Sequence, residues 1–357
     1  MTIKNIQALR AVAANGVLLS HLIIVERKYG HAGPVLPEAA GFGAFGVDLF
    51  FVISGFVMAM IARDASWRSF LTARARRIFP PYWFYTTLVL LVSLYAPAAV
   101  NSSFAHPPSI WRSYLLIPDR VGPLLGVGWT LIHEMYFYLC FAFMIFLSGV
   151  TRLALPFLLL MWTAAILGLD AAFHLYGISD PIAAVVAHPL TLEFIFGAVA
   201  GILIQRKTAA FAVPALMAGL AALMIVLSFH DTAPALIAGR NWMRAILIGT
   251  PCALIVYGAA ATEIRGVKAA PGWLAALGNA SYSTYLSHVL VLSAAGRLFA
   301  LMPGHTIAME AAFAVLCIVA ANAAGLLSCR LIERRSATTG ARLRPTVLPS
   351  PACGGGG

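Results

Sequence analysis

Arg10 and His21 stand eleven residues apart in the first hydrophobic segment, residues 5–25. Eleven helical steps of about 100° bring the chain round to within roughly 20° of its starting direction. The two side chains therefore share one stripe of a helix, separated by about 16 Å along its axis. Each ionisable group costs on the order of 3 kcal/mol or more in lipid, so the stripe is expected to face a polar cavity inside a helix bundle. An imidazole there suits acid–base or nucleophilic chemistry, because its ordinary pKa lies near neutrality.

Other segments carry chemistry of the same kind. Asp48 opens the second apolar stretch, seven residues before Gly55, so the two share a helix face, and a glycine there lets another backbone or a ligand come close. Asp48 reads either as a helix-start residue near the interface or as a partner for a histidine or substrate. Arg74 and Arg77, in the loop expected after the second span, would point to one side of a helix. Two guanidinium forks on one side suit a phosphate-bearing ligand; ordinary cytoplasmic charge beside the interfacial anchors Tyr82 and Trp83 is the alternative. Glu134 falls about 8 Å below Trp129 if that segment is helical, and buried membrane acids are usually functional or paired. His288 and Glu193 sit within later spans, where each fits either a hydrogen bond to a neighbouring helix or a site. His31, His106, His174, His230 and His305 fall in connections and receive no role.

The elements that must position these groups follow from composition. Of 357 residues, 61% are hydrophobic and 10% charged, far fewer charges than the roughly 25% of a soluble domain. The expected fold is an all-α, polytopic membrane helix bundle. About ten spans are expected near residues 5–25, 42–62, 79–98, 129–148, 153–169, 181–203, 209–228, 240–260, 278–297 and 306–328. There is no internal repeat of the kind many transporters carry. The five cysteines have no zinc-type or haem-attachment spacing. Arg10 interrupts the first apolar run and no small-residue cleavage site follows, so the first helix itself is expected to enter the membrane.

The net charge of +11 is expected to reflect basic residues kept in cytoplasmic loops rather than nucleic-acid binding. With ten spans and a cytoplasmic N-terminus, about 16 of the 24 lysines and arginines fall inside. Both termini are therefore expected in the cytoplasm. Residues 1–335 form one transmembrane domain, and the Pro- and Gly-rich tail 336–357 is expected to be disordered. Sorted by depth, Arg10, Arg74 and Arg77 lie toward the inner face, and His21, Asp48 and Glu134 in the outer half. A long ligand, anionic at one end and reactive at the other, fits such a layout.

In these residues the chain resembles the acyltransferase-3 family of bacterial membrane O-acyltransferases, in its compact form without a soluble domain. The likeness covers most of the chain. It rests on Arg10 with His21; Gly46-Val47-Asp48-Leu49-Phe50-Phe51 through Ser54-Gly55-Phe56; Arg74-Ala75-Arg76-Arg77-Ile78 leading to Pro81-Tyr82-Trp83; Trp129-Thr130-Leu131 through Glu134 to Phe137-Tyr138; the run from Ser281 to His288; and Ile332-Glu333-Arg334. Thr130, His133 and Ser287 depart from the usual pattern, which bears on the acceptor more than on the reaction.

The resemblance implies transfer of an acyl group, commonly acetyl from cytoplasmic acetyl-CoA, to a hydroxyl of a cell-surface or lipid-linked glycan. It implies a multi-pass protein of the bacterial cytoplasmic (inner) membrane, with acyl-CoA as donor substrate and no metal. His21 becomes the catalytic histidine, with Asp48 or Glu134 expected to orient its ring as the acid of a triad does. Arg10, Arg74 and Arg77 become the donor-binding arginines, and Ser54, Trp129, Tyr285 and His288 the substrate-binding set. Two other classes fit the intramembrane charges: a transporter or flippase of a lipid-linked sugar, and, more remotely, a haem protein.

Overall fold

The computed structural model describes residues 3–31, 35–62, 65–97, 100, 107–206, 209–229, 236, 242–267 and 269–333. Arg334 and the expected tail 336–357 lie outside the described residues, as do His106 and His230. Every regular element among the described residues is helical, and eight helices are long and apolar enough to cross a membrane. The protein is an all-α, multi-pass helix bundle.

In chain order the helices are α1 (Lys4–Tyr29), α2 (Gly46–Ala62, entered through a 3-10 stretch Glu38–Phe45), α3 (Trp67–Tyr95), short α4 (Ile110–Leu115), α5 (Gly128–Thr151) and α6 (Leu155–Leu175). There follow short α7 (Pro181–Val186), α8 (Leu190–Gln205), α9 (Ala212–Ser228), α10 (Trp242–Ile264), α11 (Gly272–Asn279), α12 (Ser281–Phe299) and α13 (Ile307–Glu333). Helices stand at all ten places where spans were expected. Two of them fall outside the eight: α9 is only 17 residues long, and α12 is too polar. The polarity of α12 has a reason. Ser281, Ser283, Thr284, Ser287 and His288 are all buried, so its polar face meets other helices instead of lipid.

α1 runs through the centre and touches α2, α10, α11, α12 and α13. α2 crosses α8 at very short range: a Cβ on Gly55 would lie 1.8 Å from the Phe194 carbonyl oxygen, and one on Gly197 1.8 Å from that of Val52. Small residues let the backbones meet, as is usual where lipid offers no hydrophobic drive to association. The close approach expected at Gly55 is therefore made by α8, not by a ligand. Around the outside, residues such as Leu94, Phe143, Leu160, Met224 and Leu316 are exposed, the apolar coat of a lipid-facing surface.

Two boundaries differ from expectation. α3 begins at Trp67, capped by Ser66 Oγ accepting from the Ser69 amide at 3.3 Å, so Arg74 and Arg77 are helical rather than on a loop. Its charged first turns hide the helix from a hydropathy reading. The expected span 181–203 stands within one apolar stretch, Pro181–Gln205, but is interrupted between α7 and α8 around His188 and Pro189, because a proline has no amide N–H to donate to the preceding turn and disfavours a helical residue before it.

Candidate active site

The Arg10–His21 stripe borders two cavities. At the Arg10 end, a narrow cavity of about 80 Å³ is lined by Arg10, Arg74, Arg77, Ser54, Glu134 and Tyr138, among others. Helical geometry turns Arg74 and Arg77 to the same side, while Arg76 between them is exposed. Glu134 accepts hydrogen bonds from Ser54 Oγ (3.3 Å) and from the Tyr138 hydroxyl. Arg10 Nη1 donates to Gln7 Oε1 at 3.4 Å. Among the described residues, none of the three arginines has a carboxylate within ion-pair distance, and Arg74 Nε is buried without a hydrogen-bond partner. Three guanidinium groups thus converge on a space holding a single carboxylate, an arrangement that favours a multiply charged anion.

At the His21 end lies a larger chamber of about 550 Å³, lined by His21, Ser20, Trp129, His188, Arg27 and Arg244, among others. His21 Nδ1 lies 2.9 Å from the Val17 carbonyl. A carbonyl only accepts, so Nδ1 carries the proton and Nε2 is the basic nitrogen. His288 repeats the pattern one helix away. Its Nδ1 faces the Thr284 carbonyl at 3.3 Å, and its Nε2 is buried without a partner. The two imidazoles meet edge to face, with centroids 5.0 Å apart.

Val47 and Tyr285 line both cavities and form the partition between them. The Tyr285 hydroxyl is tied to Thr130 Oγ1 (2.8 Å) and to the Val127 carbonyl (3.2 Å), which fixes the ring in place.

The expected carboxylate partners of His21 are elsewhere. Glu134, six residues into α5, has descended past the partition to the arginines. Asp48, fully buried in the first turn of α2, is held in a fork by Arg244, with Nε to Oδ1 at 2.7 Å and Nη2 to Oδ2 at 3.0 Å. Glu193, also fully buried, lies beside this pair. Neither Asp48 nor Glu134 bonds the His21 ring; the Val17 carbonyl orients it.

Sequence reasoning missed Arg244 and His188, which both line the His21 chamber. A buried carboxylate in a membrane helix requires a cation, so a search for basic residues at the depth of Asp48 would have reached Arg244. His188 carries no such signal.

A family model described as an acyltransferase domain matches residues 3–327. The chain belongs to the acyltransferase-3 family. It is 31% identical to the exopolysaccharide production protein ExoZ of Rhizobium meliloti (strain 1021), over 71% of this chain and 78% of that one. It is 25% identical to the acyltransferase MdmB of Streptomyces mycarofaciens, over 98% of this chain and 96% of that one. No solved structure matches it. The protein is therefore a membrane acyltransferase, and the transporter and haem readings give way to family membership. The acyltransferase-3 motifs fall on the walls just described: the first on the α1 stripe, the second and fourth around the partition, the third on the paired arginines.

Proposed function

We propose that this acyltransferase moves an acetyl group from cytoplasmic acetyl-CoA to a hydroxyl of a cell-surface or lipid-linked glycan, working across the bacterial inner membrane with both termini in the cytoplasm. The observation that carries this reading is the set of three arginines that have no ion-pair partner among the described residues and face one cavity that a two-residue partition separates from the His21 chamber. The positive-inside distribution supports a cytoplasmic side for those arginines, where acyl-CoA is made. The printed name of the Rhizobium relative, exopolysaccharide production, supports a glycan as acceptor.

In this scheme Arg10, Arg74 and Arg77 hold the donor's phosphates. Ser54 and Tyr285 border its path between the cavities. The pantetheine arm passes Val47 and Tyr285 and delivers the thioester to His21. In direct transfer the acceptor hydroxyl oxygen bonds to the thioester carbonyl carbon while His21 Nε2 takes the hydroxyl proton. The carbon–sulfur bond then breaks, and the imidazolium returns that proton to the leaving thiolate. In stepwise transfer Nε2 itself attacks the thioester carbonyl carbon and the carbon–sulfur bond breaks to release the thiolate; the acceptor oxygen then displaces the imidazole, and its proton passes to the thiolate. His288 packs on the reacting ring, and Trp129 presents an indole face to the acceptor.

The test is thiol release from acetyl-CoA by the purified protein, with isotope-labelled acetyl followed into polysaccharide from cells lacking this gene. Thiol release coupled to label in the glycan is expected. A protein that releases no thiol from acetyl-CoA in the presence of that glycan overturns the reading.

A further inference from the structure

The His21 chamber is the first of three cavities in series, and their chemistry changes along the row. Trp129 and His188 line both the chamber and a side pocket of about 190 Å³. Asp119, Pro181 and Ala184 line both that pocket and a groove of about 560 Å³ beyond it. Shared walls set the three side by side, in a row leading away from the reacting imidazole. All of it lies at the end of the bundle where α1 finishes.

We infer that this row is one track and binds the acceptor as a chain of several sugar residues, with the acylated sugar in the His21 chamber and its neighbours in the side pocket and groove. The inference rests on the reading of His21 as the acyl-transfer residue. It narrows the acceptor from a glycan of any length to a chain of several sugars.

A sugar ring has C–H faces that pack on aromatic rings and hydroxyls that need planar, two-pronged hydrogen-bonding partners. The side pocket offers both. On one wall stand Trp129 and the edge-to-face pair His133 and His188, whose centroids are 4.7 Å apart. On the other, Arg112 Nη1 reaches Asp119 Oδ1 at 3.4 Å. The Leu190 amide donates to His188 Nδ1 at 3.2 Å, so His188 Nε2 carries the proton and is a donor.

Charge separates this track from the donor cavity. Arg112 has a carboxylate partner here, and the groove sets Asp170 and Asp180 against Arg120 and His174, whereas the donor cavity sets three arginines against one acid. A phosphate-bearing ligand would meet those carboxylates; a hydroxylated chain would be hydrogen-bonded by them. Length separates a chain from a small glycoside. The side pocket is the smallest of the three spaces, and a single sugar at His21 would leave both it and the groove unused.

The wall is built in advance of binding. The Tyr82 hydroxyl donates to the Ser113 carbonyl at 2.6 Å, Trp83 Nε1 to the Tyr114 carbonyl at 2.9 Å, and the Leu124 amide to Ser113 Oγ at 3.0 Å. Arg112 Nη1 also reaches the Pro118 carbonyl at 3.1 Å. A rigid wall lowers the ordering cost of binding a flexible chain, which is a reason for Ser113, Tyr114 and Leu124 to be held so closely beside α3.

The experiment uses surface polysaccharide from cells lacking this gene, partly hydrolysed and sized into fractions of one, two, four and eight residues. The purified full-length protein receives labelled acetyl-CoA and each fraction in turn. The expected result is a kcat/KM at least tenfold higher for the four-residue fraction than for the single sugar. Asp119→Asn and Arg112→Gln should each raise the KM of the four-residue fraction toward that of the single sugar, without shifting the KM of acetyl-CoA. Asp119→Asn keeps the shape of the side chain and guards against a folding artefact. Equal use of one and four residues overturns the inference. So does a length dependence that both variants preserve, or thiol release with no label in any fraction. Absence of thiol release altogether is a different result and overturns the proposed acetyl transfer itself.

Discussion

The two cavities on the Arg10–His21 stripe treat charge in opposite ways. In the His21 chamber each lining arginine has a carboxylate: Arg27 meets Glu38 at 2.6 Å, and Arg244 is gripped by Asp48. In the inner cavity Arg10, Arg74 and Arg77 have none within ion-pair distance among the described residues, and the one carboxylate in the lining, Glu134, is occupied by Ser54 and Tyr138. A charge balanced by a fixed side chain stabilises the protein or positions a neighbour. An imbalance held in a cavity inside a membrane bundle is stable to the extent that a ligand supplies the missing charge. The inner cavity is thus expected to answer to donor chemistry, and the Asp48–Arg244 pair to answer to folding.

The largest effect is expected at the junction of the two. His21→Ala should lower acetyl transfer by about 10²–10⁴-fold while leaving acetyl-CoA binding, which depends on the other cavity, within a fewfold of the parent. Equilibrium binding of labelled acetyl-CoA to the inserted variant separates the two quantities. Retained transfer would remove His21 from the chemistry. An acetyl group trapped on denatured parent protein, and lost in His21→Ala, would establish the stepwise route.

Next in size comes the balanced pair. Removing one partner of a buried ion pair costs about 3–5 kcal/mol, so Asp48→Asn should be strongly destabilised in detergent unfolding. Replacing Glu193 beside them as well, in Asp48→Leu with Arg244→Met and Glu193→Gln, should recover most of that loss, since apolar groups of similar volume in place of a buried ion pair are often neutral. A single variant as stable as the parent would show that Asp48 is balanced in some other way.

The unbalanced arginines should behave the other way round. Arg74→Gln or Arg77→Gln removes a charge with no fixed partner, so stability should hold while the KM for acetyl-CoA rises. A hydrogen bond to a charged group contributes about 1.5–3 kcal/mol, roughly a ten- to hundredfold rise. Acetyl-pantetheine, which lacks the nucleotide phosphates, should be used equally by parent and variants. Equal sensitivity to both donors would mean that these arginines shape the cavity and do not hold phosphate.

The contrast between the cavities was only partly visible in the sequence. Hydropathy located the helices, because apolar runs long enough to span are dictated by bilayer thickness. Helical periodicity put Arg10 and His21 on one stripe, and Arg74 and Arg77 on one side. It did not show that α3 starts at Trp67, since its first turns carry charges that a hydropathy window assigns to a loop. Nor did it show how carboxylates pair. Asp48 meets Arg244 at a separation of 196 residues, and only the packing of α10 against α2 and α8 brings them together. Depth sorting grouped Glu134 with His21. It assigned the acid to the wrong cavity, because the partition is set by Val47 and Tyr285, whose side chains carry no charge to mark them.

That partition gives the smallest effect and the finest test of the comparison. Tyr285→Phe keeps the ring between the cavities and loses only the hydroxyl's bonds to Thr130 and Val127. At about 1 kcal/mol for a neutral hydrogen bond, transfer should fall about fivefold, with its coupling to thiol release intact. Tyr285→Ala removes the ring and joins the two spaces. The pantetheine arm should then be held loosely where it enters the chamber, leaving room for water beside the thioester, so thiol released per acetyl transferred should rise well above that of Tyr285→Phe. If both variants stay equally coupled, Tyr285 does not separate donor from acceptor, and the two cavities are one site described twice.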